Sequence, residues 1–86
     1  MSLLTDNVIP GNHGKVFNTD ANKDEDLLKI KNVLLLMEGI KKVSINRDVF
    51  PKEITVYTNS LVKINDVEHK VKEIGFHVVP KGLFEL

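Results

Sequence analysis

Eighty-six residues carry twelve basic and twelve acidic side chains, so the formal net charge is zero and no global field draws nucleic acid or an anionic membrane. There is no cysteine, which excludes a disulfide framework, a thiolate metal site and a thiol nucleophile. The length fits one small domain, expected to be soluble and cytoplasmic, since no apolar run approaches the roughly 20 residues that span a bilayer and no charged-then-apolar secretory signal opens the chain.

Residues 1–13 have apolar members, Leu3, Leu4, Val8 and Ile9, but Thr5-Asp6-Asn7 and Pro10-Gly11-Asn12 interrupt any period. They are expected to be a flexible N-terminal arm ahead of a single domain over residues 14–86. Lys15-Val16-Phe17-Asn18-Thr19 is short and β-prone and reads as a first strand. The first helix follows. Asn22 and Glu25 match a capping box, with Asp20 as a competing cap, and Asp24, Glu25 and Asp26 supply negative charge to the first turn. Leu27, Ile30, Val33, Leu34 and Met37 share one face, and Gly39 closes the helix.

Lys42–Asn46 and Glu53–Thr58 alternate as strands, with Val43, Ile45, Ile54 and Val56 inward and a hairpin loop over residues 47–52. A second capping box, Asn65 and Glu68, opens a helix with the apolar stripe Ile64, Val67, Val71 and Ile74, closed by Gly75. Phe76–Val79 is the last strand. The order β-α-β-β-α-β predicts an α+β, ferredoxin-like sandwich, a four-stranded antiparallel sheet in the order 4-1-3-2 with two helices on one face.

From Val16 to Val79 the chain resembles a heavy-metal-associated domain, the fold of copper chaperones and of the N-terminal modules of metal-pumping ATPases. The residues that carry the resemblance are Glu38-Gly39-Ile40-Lys41-Lys42-Val43-Ser44-Ile45, Gly75-Phe76-His77-Val78, and the core spacing Leu27, Ile30, Val33, Leu34 and Met37. The family's Gly-Met-x-Cys-x-x-Cys motif would fall on residues 20–26. There Lys23 and Asp26 stand where the two cysteines belong, and Asn18 stands where an inward valine is usual. Monovalent copper wants thiolate or thioether ligands, so the fold carries over and the copper chemistry does not. The resemblance also implies docking of partners near the first helix.

For a harder metal, Asp20, Asn22, Asp24 and Asp26 are the candidate ligands. Asp20-x-Asn22-x-Asp24 copies the opening of a calcium loop, but Glu25 fills the position that needs glycine and Lys31 the place of the bidentate glutamate. Caps and dipole-compensating acids explain the same residues. His13, His69 and His77 are not spaced as a ligand pair. No phosphate loop, nucleophile elbow or catalytic acid pair is present, so no enzyme activity and no cofactor are expected.

One surplus remains. At about 100° per residue Leu28 and Leu35 fall together, well away from the first helix's core face, and Leu36 lies further round. A broad core face with incidental exposure is one reading. A contact surface for the arm, a second copy or another protein is the other, with Leu28, Leu35 and Leu36 as partner-binding residues. The expected function is therefore a non-catalytic protein-interaction or regulatory module. Its alternatives are a carrier of a divalent ion through carboxylate and imidazole ligands, and a small-ligand-binding regulatory domain with its site at a dimer interface.

Overall fold

The computed structural model of the protein describes residues 8–81. Strand β1 is Val8–Ile9, β2 is Gly14–Thr19, helix α1 is Asp24–Leu35, and β3 and β4 are Ile40–Asn46 and Glu53–Thr58. Strand β5 is Val62–Lys63, helix α2 is Ile64–Glu73, and β6 is Val78–Pro80. The main sheet runs β3-β4-β2-β6, all antiparallel, which is the expected 4-1-3-2 order once β1 and β5 are set aside.

Alternation places Phe17, Val43, Ile54, Val56 and Val78 on the face covered by the helices, where they meet Leu27, Ile30 and Leu34 of α1 and Val67 and Val71 of α2 in one buried cluster. Val33 and Met37 pack against its margin. Among the described residues no helix covers the other face of the sheet, and Val16, Asn18, Thr55 and Tyr57 on it are half-buried. Asn18 thus points away from the core, and the inward positions of β2 are Lys15, Phe17 and Thr19. In β3 a bulge between Ile40 and Lys42 takes Lys41 out of register, so that Ile40 and Val43, three residues apart, are both buried.

Residues 8–13 depart from the expected arm. β1 pairs antiparallel with β5, Val8 to Lys63 and Ile9 to Val62, and Ile9 is fully buried. The Thr58 hydroxyl donates to the Pro10 carbonyl at 2.6 Å, and the Thr58 N–H donates to the His13 carbonyl at 2.9 Å. A two-residue strand leaves no period to read, which is why this pairing escapes sequence analysis. The rest of the arm, residues 1–7, lies outside the described residues.

Both capping boxes fail. Lys23 and Lys63, in extended conformation, precede the helices, and no side-chain cap bonds form. β5 feeds directly into α2, which leaves Asn65 within the first turn, where its side chain has no cap role. At the other end of α2 the glycine reading holds. Gly75 has φ +94, the Phe76 N–H reaches the Val71 carbonyl and the Gly75 N–H reaches that of Lys72, a Schellman pair. α1 ends earlier than expected, at Leu35, through two tight i to i−3 bonds to Val33 and Leu34. Gly39, with φ +95, shapes the following turn, where a Cβ would meet Ser60 Oγ and Val62 Cγ2 at 2.8 Å.

Candidate functional site

The loop between β2 and α1 is where the heavy-metal-associated family carries its ligands. It begins at Thr19, whose buried hydroxyl donates to the His77 carbonyl at 2.9 Å and accepts the Ala21 N–H at 3.2 Å. Asp20 then turns toward the start of β6. Its Oδ1 accepts the His77 N–H at 3.0 Å, and its Oδ2 lies 3.4 Å from His77 Nδ1. That backbone N–H, more than any other group, holds the Asp20 carboxyl below its ordinary value; burial opposes the shift, and the His77 ring adds to it.

Asp24, in the first turn of α1, is drawn the other way. Its Oδ1 is 2.7 Å from Nε of Arg47, which follows β3. Both partners are exposed, so the pair fixes orientation and adds at most about 1 kcal/mol. Asn22 is exposed and Asp26 half-buried. The four candidate ligands therefore do not converge: two carboxylates are committed to groups on opposite sides of the loop. Among the described residues no three of His, Cys, Asp and Glu cluster as a metal would require. Lys23 is exposed and immediately precedes α1.

His77, Arg47 and Thr19 are the residues sequence reasoning did not connect to this loop. The contacts of His77 and Arg47 with it span 57 and 23 residues and belong to no local motif, while Thr19 accepts the Ala21 N–H two residues on. His13 and His69 are exposed and lie apart from the loop, the former with Nδ1 3.1 Å from the Gly11 carbonyl.

The second region is the outer surface of α1. Leu28 is 46% exposed, Leu35 39% and Leu36 85%. Asp24, Leu28 and Leu35 are spaced i, i+4 and i+11, so the two leucines lie on the flank that Asp24 directs toward Arg47 and β3. Leu36 belongs elsewhere. With Met37 it borders an open groove of about 610 Å3 whose far wall is Asp66, His69, Lys70 and Glu73 of α2. The three leucines thus form two patches, one beside the β3 edge and one between the helices.

This architecture is shared with known metal-handling domains. The apo heavy-metal-associated domain of a copper chaperone for superoxide dismutase superposes with a TM-score of 0.68 over 85% of this chain and 70% of its own, at 15% identity. The yeast copper transporter domain Ccc2a, solved in apo and Cu(I)-loaded states, gives 0.67 over 83% of this chain and 97% of its own, at 16% identity. The chain has the ferredoxin-like fold of heavy-metal-associated domains without a cysteine to bind metal as a thiolate. No protein-family model and no curated protein sequence matches it. No helix among the described residues is long and apolar enough to cross a membrane.

Proposed function

We propose that this chain is a non-catalytic, cytoplasmic protein-interaction module, built on the heavy-metal-associated scaffold and using the outer face of α1 as its contact surface. The observation that carries the reading is the exposure of Leu28 and Leu35 on one flank of a helix whose buried face is already complete with Leu27, Ile30 and Leu34. Leu36 adds a further exposed side chain at the helix end. Clustered apolar side chains in water favour association, and neither Leu28 nor Leu35 belongs to the buried cluster.

The loop supports the same reading from the other direction. Lys23 and Asp26 offer an ammonium and a hard oxygen ligand where monovalent copper needs soft sulfur. The engagement of Asp20 by His77 and of Asp24 by Arg47 counts against a divalent carrier, since a metal would have to compete with both. With zero net charge the module is suited to protein partners and not to nucleic acid or a membrane surface.

Replacing Leu28 and Leu35 together with lysine tests the proposal. The double variant should keep its circular dichroism and cooperative unfolding while losing proteins that the wild type crosslinks in cells. Global unfolding would place the two leucines in the core, and an unchanged crosslinking profile would remove the contact surface.

A further inference from the structure

Beyond its buried face, α1 has two sides. Just past its end, Met37 borders the groove toward α2, whereas Asp24 reaches Arg47 beyond the end of β3. Leu28, Lys31 and Leu35, at i+4, i+7 and i+11 from Asp24, share the second side, so Lys31 stands between the two leucines. β3 is the edge strand on that side: among the described residues it pairs only with β4. The bulge, Lys41 and Lys42 occupy its beginning, while Val43-Ser44-Ile45-Asn46 carries neither charge nor proline. Ile45 packs on the helix-covered face but is only half-buried. Unpaired backbone groups, two leucines and a part-covered isoleucine thus lie along one edge of the domain.

This edge also carries an excess of positive charge. Asp24 and Arg47 neutralise each other. Lys31, Lys41 and Lys42 remain, and none of them is in an ion pair among the described residues; Lys42 lies over the Tyr57 ring at 5.5 Å. Asp48, past the strand in the hairpin loop, offsets only one of the three. The chain as a whole is neutral, and the balancing acids sit elsewhere: Glu38, Asp66 and Glu73 line the groove between the helices, against Lys70. Lysines along an open edge oppose self-pairing, because a second copy brings the same charges against them. They attract a strand of the opposite charge.

We propose that the α1 flank and the β3 edge together take an acidic, extended segment of another protein, added as a strand beside residues 43–46. This rests on the reading of the α1 surface as a contact face and assigns the chemistry of its partner. Side chains of an added strand alternate between two faces. Those on the helix-covered side meet Leu28, Leu35 and Ile45, with an acidic one among them at Lys31. Those on the open side meet Lys42. The partner is therefore a strand that mixes Asp or Glu with Val, Ile or Leu, its backbone supplying affinity and its side chains the selection.

Panning a random library of short peptides on the full chain tests this. The selected peptides should be rich in Asp, Glu and branched apolar residues, and a selected peptide should shift the amide signals of residues 43–46 in the NMR spectrum of the protein. Lys31→Glu/Lys41→Glu should weaken that peptide about tenfold or more. Raised salt should weaken it on the wild type, a measurement that depends on no variant. Neutral or basic selected peptides, shifts centred on the groove between the helices or on β6, or an affinity indifferent to both charge reversal and salt overturns the acidic strand as occupant. So does a library that yields no binder. The wider contact-surface reading stands or falls separately, on the cellular crosslinking profile of the Leu28→Lys/Leu35→Lys variant.

Discussion

The two helices lie on the same sheet and are built differently. α2 presents the stripe Ile64, Val67 and Val71 to the core, carries Asp66, His69, Lys70 and Glu73 on its groove-facing side, and stops at a glycine in a Schellman pair. α1 buries Leu27, Ile30 and Leu34, leaves Leu28 and Leu35 on its flank, and ends without a glycine at the stop. α2 leaves only Ile74, at its C-cap, as an exposed large apolar side chain, whereas Leu28 and Leu35 of α1 and Leu36 at its C-cap are left exposed by the described residues. The difference is what the proposed contact face rests on, since Leu28 and Leu35 stay outside the buried cluster while the α1 core positions are filled.

The sharpest way to break this comparison lies within α1. Leu34→Ala should cost about 2–5 kcal/mol, as truncation of a fully buried leucine does, measured by urea unfolding. Leu35→Ala, one position on, should cost about 1 kcal/mol or less in the monomer. Equal losses would mean that the flank is core.

The ends of the helices come next. Gly39→Ala and Gly75→Ala both force a side chain to positive φ, worth about 1–2 kcal/mol. A Cβ at Gly75 meets nothing within 4 Å, whereas one at Gly39 strikes Ser60 and Val62. The Gly39 variant should therefore be the less stable of the two, and the reverse order in thermal unfolding would show that the turn after α1 yields more easily than its packing implies.

Much of this was readable in advance, for a physical reason. Helix faces are set by local periodicity, and Leu27, Ile30, Leu34, Val67 and Val71 are all buried as their spacing requires. Asn22 and Asn65 misled because a cap depends on the backbone of the residue before the helix, and in α2 the preceding strand fixes that residue as Lys63. β1 and β5 have two residues each and exist only through their pairing. The candidate site was legible in composition alone; that Asp20 and Asp24 point to different partners depends on residues far away in the chain.

The smallest expected effect concerns the entry to α1. Because Asp20 has a lowered carboxyl pKa in the folded protein, its contribution is fully present above its ordinary value of 3.8 and is lost as pH falls through the lower folded value. Asp20→Asn should narrow that acid-side dependence, and the gap between wild type and variant should be wider at neutral pH than in strong acid. An identical pH profile for both proteins would detach the loop from His77. The side chain is more than half exposed, so the effect is modest.

The bulge at Lys41 governs how the chain between α1 and β3 can change its length. Strict alternation would send Ile40 and Val43 to opposite faces, and the extra residue is what brings both inward. Deleting Lys41 forces a choice between turning Ile40 onto the open face and pulling the Gly39 turn away from Ser60 and Val62. An insertion or deletion here is therefore no loop adjustment: the connection is a gauge that sets the phase of the helix against its strand.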